Sequence, residues 1–383
     1  MKEGWEYKRF DELMSPAKVE RCGNREDLPI LSITMRGGIV RQRERFSKTI
    51  ASTDTSNYKV VKDGQLVIAF PIDEGLLYTQ DVAKEGIMSP AYNIWDVDYS
   101  LINRRFLVSY FHSSFAFSYY RAKLRGSTQR RRSMDKADLL TMPIPVPSLE
   151  EQEKIVSELD LLSGVIEKQK AQLEELDKLA QSIFYDMFGE KDWEKKKIKE
   201  IATVKIGPFG SSLHQHDYIS GGTPLVNPTH MVNGKIVVDN NFTIDEDKKT
   251  ELSAYLLKEN DVVFGRRGDI GRCALVTKEE DGYLCGTGSL FVRFNIEIAP
   301  IYSLIQLSSN ATRQYLIDNA RGATMLNLNS NVIEGITIPL PPLSLQQEFA
   351  AKVEAIESMK AKVRQSLAET ETLFNSRMDY YFN

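Results

Sequence analysis

Cysteine, histidine and tryptophan are scarce in this chain. Its 383 residues hold three cysteines, four histidines and three tryptophans. Cys22, Cys273 and Cys285 stand alone, none in a CxxC pair, which argues against a disulfide framework and a cysteine-rich zinc module. No apolar run reaches the ~18 residues of a membrane span. The opening MKEGWEYKRF lacks the apolar core of a signal peptide. A reducing, cytoplasmic setting is the expectation.

Catalytic signatures are missing too. There is no GxxxxGK[ST] phosphate loop. Gly286-Thr287-Gly288 is the nearest approach to a cofactor-binding glycine turn, but strand-like SLFVRF follows it rather than a helix. Asn227-Pro228-Thr229-His230 only echoes the Asn/Asp-Pro-Pro-aromatic tetrapeptide of amino-methyltransferases and reads as a turn. Glu246-Asp247-Lys248 after Asp239 fits a metal-nuclease pattern formally, yet so does Glu194-Lys195-Lys196. His214-Gln215-His216 has no nearby set of carboxylates to complete a metal site. The expectation is a chain without catalytic residues or metal.

Net charge is -4, which at first opposes a nucleic-acid partner. The average hides a division. Residues 149–190 carry eleven acidic side chains against four lysines, so the remainder is at +3. Electrostatic footprints are local, and the positive charge is clustered. Tyr119–Lys136 holds seven basic residues against one Asp, among them Arg130, Arg131 and Arg132. Arg36, Arg41, Arg43, Arg45 and Lys48 form a second cluster, and Arg266, Arg267 and Arg272 a third. Arginine binds phosphate and, as a fork, reads guanine O6 and N7. A solvated face with surface ion pairs is the plain alternative.

The chain also repeats itself. Met142-Pro143-Ile144-Pro145-Val146-Pro147 returns 194 residues later as Ile336-Thr337-Ile338-Pro339-Leu340-Pro341. Leu149, Gln152, Leu173, Leu179 and Phe188 return as Leu343, Gln346, Leu367, Leu373 and Phe382. Arg125-Gly126-Ser127-Thr128 returns as Arg321-Gly322-Ala323-Thr324, and Trp5-Glu6 as Trp193-Glu194. Four matches in one order indicate two diverged copies.

Each copy ends in a long helix. After Pro147, Ser148-x-x-Glu151 has the form of a capping box. Ile155, Leu159, Leu162, Ile166, Gln169, Leu173, Leu176, Ala180, Ile183 and Met187 then alternate spacings of four and three, up to Gly189. Phe349, Val353, Ile356, Val363, Leu367 and Phe374 keep the same phase, with Lys360, Thr370 and Arg377 as polar interruptions and Ser344-x-x-Gln347 as the cap. A narrow heptad seam wants a partner helix, and each helix is the other's economical partner.

Between the helices lie mixed segments. Lys59–Phe70 and Glu259–Phe264 read as a turn and buried strand in corresponding places. Ile30–Met35, Ile198–Val204, Thr223–Asn227, Lys235–Val238, Ala274–Thr277 and Ser289–Phe294 read as strands, Phe106–Lys123 and Ala299–Ala320 as helices. In the stretch from Gly207 to Tyr218, GPFGSSLHQHDY, a tight turn precedes Ser211, Ser212, His214 and His216. It suits either a recognition loop or a strand connection. Asn327, Asn329 and Asn331 alternate with leucines, as polar readers or as the outer face of a strand.

These residues together resemble the specificity (S) subunit of type I DNA restriction–modification systems. The resemblance covers the whole chain and rests on MPIPVPSLEEQEKIV and ITIPLPPLSLQQEFA, each leading into a long helix, and on GPFGSSLHQHDY and DVVFGRRGDIG. It implies an α+β fold: two target-recognition domains separated by an antiparallel coiled coil of two long helices, in a pseudo-two-fold internal repeat. The expected divisions are 1–146 and 191–341 for the recognition domains, 147–190 and 342–383 for the helices. A non-catalytic chain is implied, binding a bipartite, asymmetric double-stranded DNA target. Its expected partners are two modification (methyltransferase) subunits that bind S-adenosylmethionine and up to two restriction subunits that use ATP and Mg. The segment before the first domain, about MKEGWEYKRFDEL, is short for the family, and the first half has no clear counterpart to GPFGSSLHQHDY. The halves are therefore expected to read different sequences. Two alternatives stay open: the recognition subunit of another bipartite-site enzyme, and a coiled-coil scaffold that binds proteins.

Overall fold

A computed structural model describes residues 4–25, 27–35, 37–45, 54–125, 133–189, 191–209, 212–267, 270–320 and 328–383. The chain divides into two compact units, Met1–Gln172 with Val363–Asn383, and Leu173–Lys362. Each long helix, Leu149–Phe188 and Leu343–Phe382, therefore contributes to both units.

The first unit is tied off by strand Glu6–Arg9, antiparallel to Pro143–Val146 with Tyr7 opposite Pro145. Proline cannot donate to a ladder, so this Pro-rich segment fits a two-stranded ribbon better than a sheet interior. One helical turn, Phe10–Leu13, follows, with the Glu12 carboxylate accepting from the Arg9 amide at 2.7 Å. Next comes a four-stranded antiparallel sheet in the order Met14–Pro16, Asn93–Val97, Leu66–Ile68, Leu77–Thr79. Its core gathers Phe10, Trp95, Phe106, Tyr110 and Phe111. A second layer pairs Lys59–Lys62 with Glu85–Met88 and carries the hairpin Leu31–Thr34/Gly38–Arg41.

The second unit repeats the ribbon, the helical turn and the four-stranded sheet. Lys195–Lys197 pairs with Thr337–Pro339, and the turn Ile198–Ile201 is closed by Glu200 on the Lys197 amide at 2.8 Å. The sheet runs Ala202–Ile206, Ser289–Phe294, Val262–Gly265, Cys273–Leu275. Ile198–Val204 is thus not one strand. Ile198 and Ile201, both buried, are spaced i, i+3 and sit inward on a helical turn that the capping carboxylate stabilises. The two expected helices are also each broken. Ser113 caps Ser114–Lys123 after Arg104–Phe111, and Ser309 caps Asn310–Asn319 after Pro300–Ser308. A hydroxyl that satisfies the next helix's free amides favours a boundary at that position.

Buried glutamines at equivalent places lock each helix start to its domain. Gln152 Oε1 accepts from the Asn103 amide at 2.6 Å, and its Nε2 donates to the carbonyls of Leu101 and Pro147. Gln346 Oε1 accepts from the Ala299 amide at 3.0 Å and its Nε2 donates to Pro341. The anticipated capping boxes are only partly made. Ser148 Oγ accepts from the Glu151 amide, but the Glu151 carboxylate takes the Trp5 indole instead. Ser344 lies inside its helix, whose first amides go to the Pro342 carbonyl.

Within each unit the two helices run antiparallel. In the first, Arg377 meets Glu158 and Ser366 meets Gln169. Ile155 and Leu159 are buried there and Leu162, Ile166, Val363, Leu367 and Phe374 half-buried, whereas Leu161 is 69% exposed. In the second, Lys360 bridges Asp177 and Glu357 at 2.6 Å each. Phe349 stacks edge-on with Phe184 and Phe188, Ile356 is buried, and Leu173, Leu176, Ile183 and Val353 are half-buried. Among the described residues no helix is long and apolar enough to cross a membrane.

The Arg377–Glu158 contact carries a pH dependence. Hydrogen bonds from Arg377 and then from Tyr381 hold the Glu158 carboxyl below its ordinary value of 4.5. A depressed acid contributes stability that is full above that value and lost as pH falls through the lowered one. Glu158→Gln should therefore flatten the acid limb of the first unit's stability curve as pH falls below 4.5. Urea midpoints across that range check it; an acid limb as steep as the wild type's counts against it.

Candidate nucleic-acid interface

The antiparallel register brings several loops of the second unit to one end of its sheet. Ile206 is opposite Leu290, Gly265 opposite Ser289, and Phe264 opposite Cys273. The chain therefore leaves or enters the sheet at the same edge through the described residues 207–209, 266–267 and 286–288. Main-chain bonds lock these loops together: Gly207 N to Ser289 O at 3.0 Å, Arg266 N to Gly288 O at 2.9 Å, and Leu328 N to Arg266 O at 3.0 Å. Glycine makes the approach possible. A Cβ on Gly207 would lie 2.0 Å from the Gly286 carbonyl oxygen, and one on Gly286 2.1 Å from Asn227 Oδ1. Asn227-Pro228-Thr229-His230 forms the turn at the centre of this cluster, with Pro228 against Gly265 and Gly288. His230 is buried, its Nδ1 2.8 Å from the Leu225 carbonyl.

The loop edge presents Arg267 and Phe209, both exposed, Phe209 by 65%. Arg266 is placed differently from the expectation of a surface contact. It is 8% exposed, and its Nε donates to the Leu328 carbonyl at 3.2 Å. Burial, and then neighbouring Arg267, push its pKa down. Its guanidinium supports the 328 segment from inside. Asn329 is similarly engaged, its Oδ1 accepting from the Val332 amide to cap Ser330–Glu334.

Ser212 is half-exposed, and His214 and His216 are exposed with rings stacked 5.3 Å apart. Leu213 anchors them in a separate core with Leu225, Ile244 and Leu284, rather than at the sheet edge. The His214 amide donates to Asp217 at 2.6 Å, and that bond leads the effects holding the Asp217 carboxyl below its usual range. Among the described residues no contact joins the histidine pair to Arg267.

In the first unit the same sheet edge carries residues 69–76 and 89–92. Phe70 is 51% exposed there, at the repeat position of Arg266, and precedes a cis Pro71. The hairpin leans on this edge: Tyr78 Oη donates to the Met35 carbonyl at 3.1 Å and its ring lies against Gly38. Arg41 and Arg43 are exposed, Arg41 beside Glu44 at 3.8 Å. Arg45 ends the short turn Gln42–Arg45. Arg36, Lys48, Arg130, Arg131, Arg132, Ser211 and Asn327 lie outside the described residues.

Phe70 and Phe209 were missed by sequence reasoning that weighed charge and polarity. Their signal is an aromatic beside proline in a turn: Phe70-Pro71 and Gly207-Pro208-Phe209. Among the described residues no group of three or more His, Cys, Asp or Glu side chains is arranged to hold a metal ion. The buried Cys273 thiol is pushed up to about 12 by desolvation.

Comparison with known proteins agrees with this duplicated plan. The family described as the type I restriction modification DNA specificity domain matches twice, at residues 39–178 and 190–369. The type I restriction enzyme EcoBI specificity subunit of Escherichia coli is 21% identical over 266 residues, 61% of this chain and 56% of that protein. The MjaVIII specificity subunit of Methanocaldococcus jannaschii is 24% identical over 275 residues, 63% of each. The matched stretch thus spans less than two thirds of either relative's length. Among solved structures, a chain from a study of type I R-M complex assembly and conformational transition aligns over 100% of this chain and 98% of its own, with TM-score 0.63 and 16% identity. The S subunit of a type I system from M. genitalium aligns over 98% and 95%, with TM-score 0.56 and 13% identity. The fold is theirs, and with its two specificity domains the chain belongs to the type I restriction modification DNA specificity family.

Proposed function

We propose that the chain is the DNA-specificity subunit of a type I restriction–modification enzyme. Its two units each read one part of a split, asymmetric duplex target, through the loops at the end of the four-stranded sheet. The observation that carries this reading is one sheet built twice with unlike side chains at its loop edge: Arg267 and Phe209 in one unit, Phe70 in the other. Arginines set position on phosphate, and a few exposed groups at the edge reach bases. In this reading the chain does no chemistry. Two modification subunits bring S-adenosylmethionine and methylate adenine, and restriction subunits bring ATP and Mg. The helices offer repeat-related exposed leucines, Leu179 in the second unit and Leu373 in the first, suited to two copies of one partner.

Methylome sequencing of a host with and without the gene tests it. One split adenine motif should vanish with the gene; an unchanged methylome overturns the reading. In the assembled complex, Arg267→Ala should weaken binding and reduce the slope of log K against log salt by about one, as one fewer phosphate is neutralised. A slope unchanged from wild type removes Arg267 from the phosphate contacts.

A further inference from the structure

Away from the loop edge, the two units also differ where the start of the long helix meets the loop before the paired short helices. In the first unit that place is filled from within. Arg105 is ion-paired with Asp160 on the long helix, and Arg104 with Asp63 at 2.9 Å. Tyr99 covers Gly64, its hydroxyl bonded to the Gly64 carbonyl, and Val156 is buried.

In the second unit the acids remain and the side chains that met them do not. The Gln152 and Gln346 bonds, to Asn103 and Ala299, fix the correspondence. Asp160 becomes Glu354 and Asp63 becomes Glu259, but Arg105 becomes Ile301 and Arg104 becomes Pro300. Tyr99 becomes Asn295, and Val156 becomes Ala350. The result is an open groove of about 330 Å³ floored by Ile298, Ala299, Ala350 and Ala351 and edged by Glu297 and Glu354. It continues past Asn260 into a further hollow of about 280 Å³ beside Glu259, where Arg293 is neutralised by Asp261 at 2.6 Å. Glu259, Glu297 and Glu354 are all exposed, and among the described residues their side chains have no ion-pair partner.

We propose that this groove is a docking site for a basic segment of a partner protein, whose cationic side chains take the places that Arg104 and Arg105 hold in the first unit. The occupant's chemistry is set by the first unit's own filling: two guanidinium-like groups with apolar bulk between them, over an alanine floor. Nucleic acid has the wrong sign for these carboxylates. Resting on the specificity-subunit reading, the partner is the modification subunit, and the consequence goes beyond that reading. The two docking events are unequal, because only the one on the second unit uses cations supplied from outside.

The test uses the full chain co-expressed with its modification subunit, read by native mass spectrometry and by titration at low and high salt. Glu354→Lys reverses an anchoring charge. Ile301→Arg gives the second unit the internal cation of the first, and should fold as the wild type does because Arg105 shows the pairing in place. Each variant should weaken one of the two docking events by about tenfold and leave the other unchanged. In the wild type, that same event should be the salt-sensitive one. Melting temperatures matching the wild type separate the effect from unfolding. Variants that retain both subunits with wild-type affinity and salt response overturn the docking alone. A wild-type chain that retains no modification subunit overturns the specificity-subunit reading and the docking with it. Self-association of the chain that Glu354→Lys abolishes overturns the choice of partner.

Discussion

Gly207→Ala should erase reading of one half of the target while leaving the other half intact. The added Cβ would sit 2.0 Å from the Gly286 carbonyl oxygen and 2.8 Å from its carbon. Both are backbone atoms, so no rotamer change relieves the clash, and the loop must move. The bond from Gly207 to Ser289 would be lost with it, and Phe209, two residues further on, would be displaced. The sheet should survive, since Ala202–Ile206 keeps five paired residues, so the stability cost should stay near about 1–3 kcal/mol. Recognition should suffer more. Each lost base pair of readout is worth about 1–3 kcal/mol, so losing two or more lowers specific affinity by roughly 100-fold. Binding of the assembled complex to duplexes with either half scrambled measures it. The variant should ignore scrambling of the half read by the second unit and keep wild-type discrimination at the other. Full discrimination at both halves would show that the loop does no reading. Gly164→Ala is the control, a helix position where a Cβ meets nothing within 4 Å and a small gain in stability is expected.

That experiment depends on contacts that are not local in sequence, and the same division explains what was legible. The helix seam was readable because its signal repeats every three or four residues, from Ile155 to Met187 and from Phe349 to Phe374. The internal repeat made the correspondence of two domains visible, and the paired sheets follow one strand order. Short strands were harder. Leu66–Ile68 and Cys273–Leu275 have three residues each, too few for an alternating pattern. Ile198–Ile201 misled because two isoleucines near a β-rich run suit a strand, until the Glu200 carboxylate closes a helical turn. Charge misled at Arg266, whose burial depends on a carbonyl 62 residues along the chain. It was also silent on Phe70 and Phe209, whose exposure is set by tight turns rather than by polarity. The open groove of the second unit could be recognised only once the first unit's arginines were seen pairing with its acids.

Gln152→Leu is the stability change with the largest expected effect per atom altered, and Gln346→Leu its counterpart. Leucine matches glutamine closely in volume, so no cavity opens and the loss reports on hydrogen bonding alone. Gln152 is 0% exposed and serves three main-chain groups: the Asn103 amide and the carbonyls of Leu101 and Pro147. Leucine leaves all three without that partner where water has little access. A buried unsatisfied group costs about 1–3 kcal/mol, and local relaxation recovers part, so a loss of about 3 kcal/mol is expected. Gln346 serves two such groups, the Ala299 amide and the Pro341 carbonyl, and its loss should be smaller, near about 2 kcal/mol. The two sites belong to different compact units and share no partner, so the double variant should be additive to within about 0.5 kcal/mol. Urea unfolding of the single and double variants measures this. Losses below about 0.5 kcal/mol would show that each helix is seated by its apolar seam, without need of the glutamine. A Gln152→Leu loss with intact DNA discrimination in the complex would separate the seating of the helix from the reading of the target. That outcome is expected, because the glutamine lies at the helix start and the reading loops leave the sheet through residues 69–76 and 89–92.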